Sequence, residues 1–542
     1  MNWLDWSMMA LYIVFLIWMA WYLGRKQKNK EDYYLGGNDL PFWSIGMSTM
    51  ATQCSTNSLL GAPAFVIAIG GLTWLQYELA VPIAMIGIMI FLMPFFRKQN
   101  VISVYEYLEK RFGIGTRTIL SIMFQLLRAF ATGVTVYGIS LVLQQILNIP
   151  FWSAVVALCG VTIIYDFFGG MKAVVYSDVI QMIILYLGVV VCLIYAIHLC
   201  GGITEVFHLF PKDKLSALDF SQTGFGDFKG GKYSFLPMFI GGLFLYMSYY
   251  GCDQTQVQRE VSTRTIDDTN ASLVFNGFLR FPLVVTYCLV GVAIGAYIIK
   301  NPEFVNLLKV GGGKPNFNIA VPAFVLHELP NGVIGLIIIA LFSAAMSSLD
   351  STINSLSATS VRDIYERFFE RENHSPKVKL YIGRSTTVFW GVLCTAAAFF
   401  VGNISGSIIA SINIISSLGY GPILATFLLA IMTKKANDMG TVLGIIAGFA
   451  INFYMWVFVP SINWMWWNLI GCAVTFSVGY SCSLLIGKTK PLEEIKPLLF
   501  QKDARNFFNY KVNWKKYYVL LIAYTIFIIG FCYIIQFIPD WI

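Results

Sequence analysis

The sequence predicts an all-α, multi-pass membrane protein of about fourteen transmembrane helices, and three observations predict it. Hydrophobic residues make up 57% of the chain and charged residues only 12%, where a soluble globular protein averages about 45–50% and about 25%. Mean hydropathy is +0.68, and the apolar residues gather in runs of about 20, the length that crosses a hydrocarbon core. Aromatic residues reach 16%, with 14 Trp, as in the belts that sit at headgroup level.

Candidate spans begin near residues 4, 42, 74, 116, 151, 173, 235, 272, 332, 380, 404, 438, 464 and 515. The first, from about Leu4 to Leu23, lacks a small-residue cleavage site and reads as an uncleaved peripheral span. Residues 1–30 hold that span and the first cytoplasmic connection. Residues 42–200 and 235–432 form two blocks of five spans, separated by an extracellular connection at 201–234. Residues 438–542 add three more spans with a basic cytoplasmic connection. The two blocks are spaced as an inverted repeat would be.

Orientation follows from Lys and Arg in the connections. Of the 37 basic residues, 27 fall in one alternate set of connections, among them "GRKQKNK", "FRKQNVISVYEYLEKRFGIGTR" and "QREVSTR". Only 7 fall in the other set. The first set is therefore expected in the cytoplasm, with both termini outside.

Several function classes fall away. The net charge of +8 could suit nucleic acid, but the charges lie in short loops between apolar runs, so no nucleic-acid partner is expected. The ten Cys form no CxxC pair and the four His are isolated, which argues against a disulfide framework or a zinc site. "GGGK" at 311–314 lacks the spacing and hydroxyl of a phosphate loop. The connections are too short for a catalytic domain, and no obligatory protein partner is implied. An enzyme is not expected.

The chemistry lies in polar residues at membrane depth. "SAAMSSLDSTINS" (343–355) follows an apolar half-span, and as a helix it lines up Ser343, Ser347, Asp350, Ser351 and Asn354 on one stripe. Packing explains isolated serines. It explains Asp350 poorly, because an unpaired carboxylate in the bilayer costs several kcal/mol. A second carboxylate, Asp178, sits with Gln181 in another apolar span. With no obvious Arg partner, the two Asp need protons or a cation, and an oxygen-rich set suits a hard cation. A proton relay is the alternative.

Free carbonyls would come from broken helices. "ATQCSTNS" in the second span joins poor helix formers with side chains that compete for backbone hydrogen bonds. Irregular backbone at that depth is tolerated where it lines a site. Gly251, Asp253 and Gln254 interrupt a corresponding span in the second block.

These stretches resemble the sodium:solute symporters, which include bacterial sodium/sugar cotransporters. The resemblance rests on "NKEDYYLGGNDLPFW" with "ATQCSTNSLLG", on "GGMKAVVYSDVIQ", "YYGCDQTQVQRE", "SAAMSSLDSTINSLSATSVRDIY" and "PILATFLLAIMTKKANDMGTVLGIIAG", and it covers nearly the whole chain. It implies an inverted-repeat 5+5 core with broken first and sixth core helices. Sodium would be the coupling ion. The main site would use the carbonyls of Ala51, Cys54 and Ala344 and the hydroxyls of Ser347 and Ser348. A second sodium would use Asp178, Ser347, Asp350 and Ser351. For the solute, the resemblance implies Glu78, with Arg280 where sugar carriers have Lys and Asn413 where they have Gln. Tyr249 matches an inner-gate aromatic, Tyr246 stands in place of an Asn, and Ser58 in place of a Gln. Sialic-acid carriers present an Arg at the position of Ala131, one turn from Arg128.

The expected function is sodium-coupled import of a small polar solute across the cell membrane by alternating access, with a sugar or polyol as the main expectation. A sialic acid or other carboxylated solute is the alternative, and Arg280 could serve it. Glu78 with Arg280 could equally be a structural ion pair. A membrane sensor with a separate signalling partner is a further class.

Overall fold

The structure is a computed structural model, which describes residues 2–54, 56–99, 101–221, 233–309, 313–370, 374–400, 408–500 and 510–541. No strand occurs among the described residues, only two isolated bridges. Among the described residues, ten helices are long and apolar enough to cross a membrane.

Ten and fourteen meet once the helices are followed individually. Phe151–Cys200 runs 50 residues, about 75 Å at 1.5 Å per residue and far beyond a hydrocarbon core of about 30 Å. Its backbone turns at Gly170, with φ 54° and ψ −156°. A Cβ there would lie 2.6 Å from the Tyr33 carbonyl oxygen, so the bend needs glycine for both its dihedral and its close approach. This one element holds two predicted spans. Three others are predicted spans that fall short in length or hydropathy: the broken pair Phe42–Gln53 and Thr56–Ala68, the broken pair Gly242–Cys252 and Gln254–Glu260, and Pro376–Phe400.

Burial sorts centre from periphery. The best apolar windows of Val333–Phe369 and Ile412–Met432 are 83% buried, against 33% for Trp3–Gly24 and 28% for Trp514–Ile535. Helices buried all round need partners on every face. Val333–Thr359 has them, packing on Phe151–Cys200, on Ile114–Leu147 and on the first broken helix. The Asp438–Phe458 and Trp464–Leu485 pair pack through small residues instead. A Cβ at Gly448 would meet the Thr475 hydroxyl at 1.8 Å, the close backbone approach that membrane helices use.

Three basic residues counted above among cytoplasmic loops are buried: Arg111, Arg117 and Arg259. Arg111 donates Nε to the Ala430 carbonyl at 3.0 Å, Nη1 to Ala436 at 3.2 Å and Nη2 to Thr433 at 2.6 Å. It thereby caps the C-terminal end of Ile408–Met432, where unpaired carbonyls and the negative end of the dipole want a cation. Arg117 pairs with Asp363 and Glu109, and Arg259 belongs to the site.

Candidate functional site

The first break falls at Cys54 (φ −83°, ψ 53°); Ser55 lies outside the described residues. Beside it runs Val333–Thr359, whose hydroxyls reach the carbonyls left over at the broken end. Ser347 Oγ lies 3.4 Å from the Ala51 oxygen and 3.1 Å from that of Ala344. Ser348 Oγ donates to the Thr52 carbonyl at 3.0 Å. Thr52 Oγ1, absent from the sequence expectation, contacts Ser48 O, Ser347 O and Ser351 Oγ at 3.1, 3.4 and 3.1 Å. Three of the five residues expected at the main sodium site, Ala51, Ala344 and Ser347, thus meet through oxygens, while Ser348 turns to Thr52 instead. Cys54 stands at the break, and its thiol accepts from Arg280 Nη1 at 2.7 Å.

One helical turn further on lies a wholly buried polar cluster. Asp178 Oδ2 accepts from Ser48 Oγ at 2.5 Å and from Arg259 Nη2 at 3.4 Å. The expectation that Asp178 lacks an Arg partner is therefore wrong. The chain between Gln254 and Glu260 is the inner half of a broken helix, so Arg259 points into the bundle. Asp350 accepts from the Tyr165 hydroxyl, and from Ser351 N and Oγ at 2.5 and 3.0 Å. Asp166, unremarked in the sequence, accepts from Asn354 Nδ2 at 3.4 Å. Oδ1 of Asp178, Oδ2 of Asp166 and both amide atoms of Gln181 are buried without a partner among the described residues. Among the described residues no group of three or more Asp, Glu, His or Cys side chains is placed to hold a metal ion, and the charge of Asp178 is met by the Arg259 guanidinium.

On the other side of Ser348 opens a cavity of about 120 Å³. Ser58, Glu78, Tyr249, Arg280 and Asn413 all line it, as expected from the sequence. Glu78 accepts from Arg280 Nε at 2.9 Å and Nη2 at 3.0 Å, a bidentate buried pair. Tyr246 is not on the wall. It lies behind Tyr77, ring centroids 4.6 Å apart, and Tyr77 takes the lining position. Tyr246 and Tyr249, three apart, share a helix face, but Tyr77 covers the first and leaves the second on the wall.

Arg128 and Ala131 both line the cavity, one turn apart on the same face. The guanidinium therefore reaches the space from the turn below Ala131. Arg128 donates Nε and Nη2 to Asp253 Oδ2 at 2.9 and 2.6 Å, and Nη2 lies 3.3 Å from Thr255 Oγ1. Asp253 is the residue of the second break (φ −82°, ψ 128°), and its side chain caps the helix that follows.

Known proteins supply the context for this geometry. Residues 33–448 match the model of the sodium:solute symporter family. The sodium/sialic acid symporter NanT of Aliivibrio fischeri is 31% identical over 93% of this chain and 97% of its own length. The sodium/sialic acid symporter SiaT of Proteus mirabilis is 29% identical over 91% and 97%. A solved structure of a Na+-coupled sialic acid symporter in a substrate-bound outward-open state superposes with a TM-score of 0.80 at 28% identity, covering 90% of this chain and 99% of that one.

Proposed function

Because the chain belongs to the sodium:solute symporter family, with sodium as its coupling ion, we propose that the solute it imports is a carboxylated sugar of the sialic acid class. The observation that carries this reading is Arg128, a guanidinium at the cavity wall. A guanidinium fork suits a carboxylate, and it is the donor that a neutral sugar needs least. The nature of the relatives points the same way.

Within this proposal the main sodium sits among Ala51, Cys54, Ala344, Ser347 and Ser348, and a second among Asp178, Asp350 and Ser351. The stretch from Ala51 to Ser58 is ordered by the first ion, which prepares the wall that Ser348 and Ser58 share with the solute. Both termini face outward, as the segregation of basic residues supports. Each positive charge that moves inward through 100 mV supplies about 2.3 kcal/mol, so a second sodium steepens accumulation.

A neutral sugar or polyol is the second reading. The closed Glu78–Arg280 pair favours it, since that end of the cavity carries no net charge. Uptake into proteoliposomes decides, with an inward sodium gradient and a panel of N-acetylneuraminate, glucose, galactose and inositol. Uptake of N-acetylneuraminate alone supports the proposal; uptake of a neutral sugar without it overturns the proposal.

A further inference from the structure

The pair formed by Arg128 and Asp253 does more than fix a guanidinium in the cavity wall. Asp253 Oδ2 takes two donors from Arg128, while Oδ1 accepts Thr255 N at 2.9 Å and Thr255 Oγ1 at 2.5 Å. One carboxylate thus ties the Ile114–Leu147 helix to the break before Gln254–Glu260. Two aromatic rings flank the guanidinium carbon, Tyr249 at 5.0 Å and Tyr420 at 5.9 Å, and the Tyr420 carbonyl accepts from Ser248 Oγ at 2.7 Å.

Beyond this layer lies a second, much smaller void of about 10 Å³. It shares Arg128, Ser416 and Tyr420 with the larger one, and adds Asp253, Phe124, Leu127 and Ile423. Phe124 and Leu127 precede Arg128 toward Ile114, and Ile423 follows Tyr420 toward Met432. Both directions lead to the basic connections. The Arg128–Asp253 layer therefore divides the solute cavity from a space on the side of the basic connections.

We propose that the Arg128–Asp253 ion pair is a latch across the floor of the solute cavity, released when the carboxylate of the bound solute takes over the Arg128 guanidinium. This rests on the carboxylated-solute reading of the same cavity. A second anion on the fork competes with Asp253 for the same donors in a low-dielectric site. As Asp253 also caps the helix behind the break, its loosening is handed directly to a segment placed to move. An empty carrier stays shut because its floor is paired. Sodium alone then does not leak through.

The test is sodium entry into proteoliposomes without any solute, in wild type and in Asp253→Asn. Asparagine keeps the capping oxygen and loses the charge. The latch predicts that solute-free sodium entry rises about tenfold or more in the variant, the scale on which losing one partner of a desolvated pair acts. Sodium entry equal to wild type overturns the latch, whatever the solute is. Should the variant not fold, amide exchange of residues 251–256 in wild type takes its place. The latch predicts faster exchange with sodium plus N-acetylneuraminate than with sodium alone; exchange that is unchanged or slower overturns it. Failure of N-acetylneuraminate to shift the melting temperature of the wild type overturns the carboxylated-solute reading separately, and leaves the solute-free measurement to judge the latch.

Discussion

Replacing Glu78 by Gln keeps shape and volume and removes one charge from a buried pair. Arg280 then keeps its guanidinium in a site where its side chain is 4% exposed and that of Glu78 1%. Two charge-assisted hydrogen bonds at 2.9 and 3.0 Å are weakened together. Uncompensated buried charge of this kind costs about 3–5 kcal/mol, and the Cys54 thiol at 2.7 Å is a poor substitute acceptor. At about 2 °C per kcal/mol, the melting temperature of the purified carrier should fall by about 6–10 °C. Because Arg280 also touches the thiol of Cys54, the disturbance reaches the broken helix, and the sodium concentration for half-maximal uptake should rise as well. The exchanged pair, Glu78→Arg with Arg280→Glu, restores opposite charges and should recover more than half of the lost stability. Melting in detergent and sodium titrations of uptake read both effects. A Glu78→Gln carrier that melts within a degree or two of wild type would refute the claim that this pair clamps the cavity wall.

The remaining predictions touch other elements. Ser347→Ala removes a hydroxyl that lies against the Ala51 and Ala344 carbonyls, and should raise the sodium requirement about tenfold, one ligand being worth about 1.4 kcal/mol; an unchanged requirement contradicts the main-site assignment. Asp350→Asn should lower the Hill coefficient for sodium from near 2 to near 1. With one charge fewer, accumulation at 100 mV should fall about fiftyfold, the equivalent of about 2.3 kcal/mol; an unaltered coefficient speaks against a second sodium there. Arg111→Met strips the cap from three carbonyls and should destabilise the carrier by about 3 kcal/mol or more, read as a lower melting temperature. Glu106, in the short Tyr105–Arg111 helix, is buried, which alone would raise its pKa. The Arg362 guanidinium, with the Ser103 N–H, outweighs burial and holds the carboxyl below its ordinary value. Such a group stabilises the fold at pH above its unfolded value of about 4.3, and that stability is lost as pH falls through the folded value. Arg362→Gln should therefore flatten the acid limb of the melting-temperature profile; an identical limb contradicts the assignment.

Much of the site was legible because bilayers make polar residues conspicuous. Asp178, Asp350 and the hydroxyl stripe stand out against hydrocarbon, and poor helix formers mark both breaks. The resemblance to the family, rather than spacing, named Ser58, Glu78, Tyr249, Arg280 and Asn413, which line one cavity. Less visible was anything that depends on how deep a loop-like stretch lies. "QRE" reads as a cytoplasmic charge patch, yet Arg259 is buried beside Asp178, because the interrupted helix resumes inside the protein. Arg111 misled in the same way. Between Tyr246 and Tyr249 the sequence offers no choice, since the facing direction depends on rotation of one short helix against Tyr77. Asp166 escaped notice beside Gly169 and Gly170, although a carboxylate at membrane depth was itself the available signal.

The central claim, sodium-driven movement of a carboxylated sugar through a site built at two helix breaks, meets its most direct test in paired fluxes. N-acetylneuraminate and sodium entry would be followed together in proteoliposomes, for wild type and for the Ser347→Ala, Ser348→Ala double variant. The account predicts that wild type takes up the sugar only with an inward sodium gradient, that the two fluxes keep a fixed ratio, and that the double variant loses both. Sugar uptake that ignores the sodium gradient, or that survives in the double variant with its ratio intact, would contradict it.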